Sequence, residues 1–366
     1  MGRGPDPARL SATALLALAL GACASAAPPP PRPLVVFPPP PDTARIQFLA
    51  RYSDTRDVES RKGPSFLGRL IGKDREPEEG SAIVKPYGVA IHSGRIYVCD
   101  TMAGGVEVLD LAAHRFEFRK PRGLGQLRKP INCFVADDGE LYVADVDREQ
   151  VVVFDSAGAY AGGFGEGADF RPTDVFVDPD RVWVADIGGR KVRVFDRGTR
   201  RLLRSFPTDT VGPGVLFQPT NLFVADDRVY VTDFGDFRVK VFTRDGEYVR
   251  SVGSYGRSLG QFVRPKGIAV DREGRLYVVD AGFENVQVFD PAGKLLMFFG
   301  GSYDGPGYMW LPAKVVVDYD NLALFRPFVH EGFDLDHLVI VTNQYGPDKV
   351  TVYGFVRPRA ETDGTP

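Results

Sequence analysis

Apolar positions along this chain come in short runs of four to six residues, closed each time by Gly, Asp or Pro. The clearest stretch begins Arg264-Pro265-Lys266-Gly267-Ile268-Ala269-Val270-Asp271, then Arg275-Leu276-Tyr277-Val278-Val279-Asp280. It continues through Asn285-Val286-Gln287-Val288-Phe289-Asp290 to Lys294-Leu295-Leu296-Met297-Phe298-Phe299-Gly300. Each run is rich in β-branched and aromatic residues and too short for a helix, so the stretch predicts four strands joined by tight turns. The same pattern opens at Pro86, Pro130, Pro172, Pro219, Pro265 and Pro312, at spacings of 42–47 residues.

Four strands per repeat at this period is the pattern of a propeller blade. The repeat resembles the NHL repeat, whose pattern runs P-x-G-I-A-V-D, I-Y-V-A-D, R-V-Q-V-F and a last strand ending in F-G. The resemblance covers residues 85 to 355. The second-strand motif recurs as Tyr97-Val98-Cys99-Asp100, Tyr142-Val143-Ala144-Asp145, Trp183-Val184-Ala185-Asp186, Tyr230-Val231-Thr232-Asp233 and Tyr277-Val278-Val279-Asp280, and degrades to Val339-Ile340-Val341-Thr342-Asn343 in the sixth copy. Gly125-Gln126-Leu127 and Gly260-Gln261-Phe262 fit the family's inter-blade linker. The fold class expected is all-β, a six-bladed β-propeller.

The sixth repeat has three strands, the last near Lys349 to Phe355. Its missing outer strand is supplied by residues 45–52, because Ile46-Gln47-Phe48-Leu49-Ala50-Arg51-Tyr52 resembles the outer strands Leu202–Phe206 and Tyr248–Val252. That pairing closes the ring and removes open edges. The propeller is therefore placed at 44–357, with insertions at 53–84 and, within blade six, at 322–336, and a polar tail at 358–366. The first insertion carries the apolar turn Phe66–Ile71.

Before the propeller, Arg3 and Arg9 precede an apolar run from Leu10 to Leu20, too short to span a bilayer and suited to a signal peptide. The run ends in Leu20-Gly21-Ala22-Cys23, which resembles the lipobox of bacterial lipoproteins. The resemblance implies a signal peptide at 1–22, acylation (palmitate) of Cys23, and anchoring to a lipid bilayer outside the cytoplasm. Ala24 and Ser25 follow in place of the Asp that marks inner-membrane retention, which favours the outer membrane of a Gram-negative bacterium. Residues 23–43 are proline-rich and are expected to extend as a tether at about 3.1 Å per residue.

A net charge of −3 offers no electrostatic case for nucleic acid. With three cysteines and no CxxC, neither a disulfide framework nor a zinc knuckle is expected. Cys99 and Cys133 fall on strands of adjacent blades and read as buried free thiols, with a disulfide left open.

Candidate sites lie on the face where the innermost strands begin. Asp100, Asp145, Asp186, Asp233 and Asp280, in step with the repeat, read as acceptors of turn N–H groups rather than as ligands. The glycine after each repeat proline is kept at Gly88 and Gly267 but replaced by Asn132, Asp174, Asn221 and Lys314, whose side chains should meet at the axial opening. Phe234, Phe237, Phe283 and Tyr345 fall on turns of the same face and are candidates for binding a protein partner, with Tyr308 and Trp310 close by.

The related propellers include amidating lyases, streptogramin lyases and calcium-dependent lactonases. His92, His114, His330 and His337 do not share one phase of the repeat, so a three-histidine zinc site is not expected. Oxygen ligands at Asn132, Asp174 and Asn221 leave calcium as a candidate. No cofactor is otherwise implied. The reading is a membrane-anchored scaffold that binds an envelope or extracellular protein. Its alternative is a calcium-dependent propeller enzyme, or a small-ligand binder, working at the axial opening.

Overall fold

The computed structural model describes residues 34–59, 81–165 and 169–359. The signal segment with Cys23, the apolar turn Phe66–Ile71 and the end of the tail lie outside these residues. Among the described residues no helix is long and apolar enough to cross a membrane.

Six antiparallel sheets follow one another along the chain. Blade one runs Pro86–His92, Arg95–Asp100, Gly105–Asp110 and Arg115–Arg119, from the innermost strand outward. Blades two to five repeat this order, their innermost strands beginning at Pro130, Pro172, Pro219 and Pro265. Each innermost strand contacts the next around the ring, and the sixth returns to the first. The protein is a six-bladed β-propeller.

Both faces of every blade are covered, so its central strands are apolar on successive residues, as in Leu276–Asp280. The core is accordingly split into six clusters, one between each neighbouring pair of blades. Cys99 and Cys133 both lie in the cluster between blades one and two, buried and free. Burial and its neighbour Cys133 push the Cys99 thiol well up.

Blade six is closed from the N-terminal side. Its strands Pro312–Asp318, Phe333–Asn343 and Val350–Pro358 are joined by Ile46–Tyr52, which pairs Ile46 with Phe355 and Tyr52 with Val350. Ile46, Leu49 and Tyr52 are buried in the clusters flanking the seam. The expected tether ends earlier than residue 43. Val36–Phe37 pairs with Ile46–Gln47 as a fifth strand, so residues 35–38 lie against the domain while 39–43 form an exposed connection. The reason is apolar: the Phe37 ring packs edge-on against Tyr308 and tilted against Phe299, which a solvated polyproline segment would leave uncovered.

The two insertions also differ in detail from expectation. The first opens with the helical turn Thr55–Val58, capped by Asp54 and Asp57, and buries Val58. In blade six the second strand begins at Phe333, three residues before the predicted end of the insertion, because Phe333–Leu335 pair with Val356–Pro358. Those partners include the first residue assigned to the tail. The short helix Leu322–Phe325 inserts Phe325 into the core between blades six and one.

Candidate functional site

Two faces result. The inter-blade linkers and the second-to-third turns form the upper face, and the remaining turns form the lower one. On the upper face, the five repeated aspartates are fully buried and bind the linkers. Asp145 accepts from the N–H groups of Arg128 (2.6 Å), Lys129 (2.9 Å) and Arg148 (3.1 Å). Asp100 binds Val84 and Lys85 in the same way, Asp233 binds Phe217 and Gln218, and Asp280 binds Val263 and Arg264. Asp186 accepts from Arg171 N–H and pairs with Arg193 at 2.6 Å. A carboxylate with its oxygens so engaged is a clamp between blade and linker, not a free ligand. Asp145→Ala is expected to lower stability by about 3 kcal/mol, from lost charge-assisted bonds and stranded N–H groups. Thermal unfolding with calcium and with chelator should show the same loss.

The third strands carry polar residues that reach the same linkers. Lys240, 1% exposed, pairs with Asp233 at 3.1 Å and Asp236 at 2.9 Å. Glu107 takes the corresponding place in blade one. Neither of its carboxyl oxygens has a hydrogen-bond partner among the described residues. Burial, then the nearby Asp100 carboxylate, pushes its pKa well up, and the uncharged acid is favoured there.

At the axis, the four departures from the repeat glycine do meet. Lys314 of blade six reaches across the ring to Asp174 of blade three, Nζ to Oδ2, at 2.5 Å. The same Oδ2 accepts from Asn221 Nδ2 at 3.2 Å and from Leu222 N–H at 3.0 Å, while Oδ1 accepts from Val175 N–H at 3.0 Å. Asn132 donates to the Thr173 carbonyl at 2.7 Å. Gly88 and Gly267 complete the ring because nothing larger fits. A Cβ at Gly88 would stand 2.4 Å from the Asn132 Cα, and one at Gly267 would stand 2.5 Å from the Lys314 Cα.

The expected ligand site is therefore a plug. Asp174 is spent on internal partners, and the Lys314 ammonium occupies the place where calcium would have to bind. Asp174, Asn221 and Lys314 hold each other across the axis, and Asn132 is tied to the neighbouring strand. The Oδ1 atoms of Asn132 and Asn221 have no hydrogen-bond partner among the described residues. A cation there would have to displace Lys314, which argues against the calcium reading.

Above the plug, Lys266 donates to Gln344 Oε1 at 2.9 Å and lies over the Tyr87 ring at 5.3 Å. Desolvation, with Arg264 and Lys85 nearby, pushes the Lys266 pKa down to about 8. Below the plug lies a cavity of about 290 Å³ that opens on the lower face. Its wall includes Phe134, Phe176 and Phe223 from three successive blades, with ring centroids 4.9 and 5.2 Å apart. Neither group was singled out from the sequence. The phenylalanines had a signal, since each stands four residues after its repeat proline.

The histidines stay apart. His337 is buried against Phe355 and within 3.0 Å of the Tyr277 hydroxyl, and burial pushes its pKa down. His330 accepts from Gly332 N–H in the blade-six insertion. His92 ends the first innermost strand and lines the cavity, and His114 occupies an outer turn. Among the described residues no three metal-ligating side chains gather.

The upper-face aromatics assemble in part. Phe237 packs between Phe234, at 6.2 Å, and Tyr255, at 4.7 Å. Tyr345 lies under the Lys85 ammonium at 5.3 Å, on another blade. Phe283 is half-buried, Tyr308 is turned inward onto Phe37, and Trp310 is exposed and stacked with Tyr303.

A family model described as a 6-bladed β-propeller matches residues 214–297, which hold most of blades four and five. No curated protein matches the chain. Among solved structures, a protein of unknown function from Bacteroides thetaiotaomicron is 16% identical, with TM-score 0.58, covering 86% of this chain and 76% of its own. A gluconolactonase from Xanthomonas campestris is 17% identical, with TM-score 0.53, covering 74% and 86%. A virginiamycin B lyase from Staphylococcus aureus, with quinupristin, is 14% identical, with TM-score 0.52, covering 74% and 95%. The likeness is one of fold.

Proposed function

We propose that this propeller is an NHL-type scaffold, lipid-anchored outside the cytoplasm through Cys23, that captures an envelope protein on its upper face. The observation that carries the reading is where exposed apolar bulk lies. Met102, Leu124, Val211, Tyr255, Leu259 and Trp310 are 49–81% exposed, and all stand on inter-blade linkers or second-to-third turns. Among the described residues the lower turns expose no large apolar side chain. The outer strands also expose Leu203, Leu296 and Phe298, but linkers are ordinarily polar, so apolar bulk on the linkers and turns of one face marks a surface kept for a partner.

Exposed Arg128, Lys129, Arg171 and Arg264 stand among these residues. They favour a partner that presents carboxylates around an apolar centre. The expected anchor is the line Phe234–Phe237–Tyr255 with Leu259 beside it. The Lys314–Asp174 pair at the axis and the engagement of the five repeated aspartates by the linkers favour capture over turnover.

The test is affinity capture of the full-length protein from native membranes in mild detergent. Replacing Phe237, Tyr255 and Leu259 with serine should leave Tm and membrane fractionation unchanged and reduce recovery of the co-purifying protein by about tenfold or more. Cys23→Ser should release the chain from membranes without altering capture. Undiminished capture by the triple variant would exclude this face, and a Cys23→Ser chain still in the membrane fraction would exclude the anchor.

A further inference from the structure

The cavity below the plug is unrelated to partner capture on the upper face. Its shape follows from one position of the repeat, four residues after each proline. Blades two, three and four carry Phe134, Phe176 and Phe223 there, whereas blades one, five and six carry Ala90, Ala269 and Val316. Half of the ring is aromatic and half is small, so the rings cannot fill the axis and a space of about 290 Å³ is left. A cavity of about 150 Å³ already accepts benzene, and this one has room for a substituted ring.

Charge at the two ends decides what else the occupant carries. At the inner end Lys314 lines the cavity, but its ammonium is committed to Asp174. At the lower mouth stand Asp137, Asp318, Asp320, Arg272 and His92. Asp318 accepts from Asn321 through both oxygens. The Arg272 guanidinium lies 4.0 Å from the centre of the Tyr319 ring. Asp137 and Asp320 are exposed and form no ion pair among the described residues. With Lys314 committed to Asp174, the cavity lining sets three carboxylates, Asp137, Asp318 and Asp320, against the one remaining cation Arg272. An aromatic wall behind an unbalanced acidic rim is suited to an organic cation.

We propose that the lower axial cavity binds a small organic amine, with its apolar body against Phe134, Phe176 and Phe223 and its ammonium at Asp137 and Asp320. Three probes share one ring and differ in charge: benzylamine, benzyl alcohol and benzoate. Ligand-observed NMR titration of the full-length protein should give benzylamine an affinity about tenfold above that of benzoate, with benzyl alcohol between them.

Val316→Phe installs the residue that three sister blades carry at this position and fills the small side of the cavity. It should abolish benzylamine binding while Tm holds or rises. Asp137→Asn with Asp320→Asn alters only exposed groups, and should remove the preference for the amine while leaving benzyl alcohol affinity unchanged. Stronger binding of benzoate, binding that survives Val316→Phe in a folded protein, or no binding of benzylamine at millimolar concentration would each overturn the proposal.

Discussion

A chain beginning at Ser53 is expected to lose cooperative folding, although every strand of blades one to five is retained. The missing segment supplies the two outer strands of blade six. Phe37, Ile46, Leu49 and Tyr52 are each no more than 9% exposed, and burying side chains of this size contributes roughly 1.5–3 kcal/mol apiece. Their sum, about 6–12 kcal/mol, is comparable with the whole stability expected of a natural domain. The loss is also structural, because Val350–Pro358 becomes an open edge with unpaired N–H and C=O groups. Far-UV circular dichroism and urea unfolding of the truncated chain should show a broad, early transition and concentration-dependent association. Adding a peptide of residues 34–52 should restore the transition in part. A truncated chain that unfolds sharply near the full-length midpoint would show that the seam is dispensable.

The second large effect is expected at the plug. Lys314→Met leaves Asp174 fully buried with its ion-pair partner gone, a change that costs about 3–5 kcal/mol and lowers Tm by on the order of 5–15 °C. Removing both charges, Lys314→Met with Asp174→Asn, should recover most of that loss, since the penalty comes from stranding one charge rather than from losing a net attraction. The coupling in a double-mutant cycle is expected at about 2–3 kcal/mol. Equal destabilisation in the single and double variants would mean that the pair matters only for packing. A small loss from Lys314→Met alone would mean that the axis is wet and the pair screened.

These two features sit at opposite ends of what the sequence makes legible. The seam could be read because Ile46–Tyr52 carries the same alternation as the outer strands of other blades, while the sixth repeat lacks such a strand. The plug could be read only as a location. That Asn132, Asp174, Asn221 and Lys314 converge follows from their common place in the repeat. That Asp174 is paired internally instead of with a ligand depends on blades three and six facing each other, so that one lysine spans the axis. Val36–Phe37 was hidden for a different reason. Its proline-rich surroundings read as solvated spacer, and only the exposed edge of Ile46–Tyr52 and the pocket at Phe299 and Tyr308 make the strand worth forming.

Strand length, turn positions and the clamp role of Asp100, Asp145, Asp186, Asp233 and Asp280 are local properties. They depend on alternation and on carboxylates beside turn N–H groups, and each repeat restates them, so the sequence by itself determined the all-β fold, the blade count and the closing strand. The tertiary structure alone decided that the axis is closed by an ion pair between residues 140 positions apart. It also decided that three phenylalanines face small residues across a cavity, and that the exposed apolar residues of linkers and turns share the upper face. Such features arise between repeats rather than within them. A six-fold ring brings together side chains whose neighbours in the chain say nothing about each other.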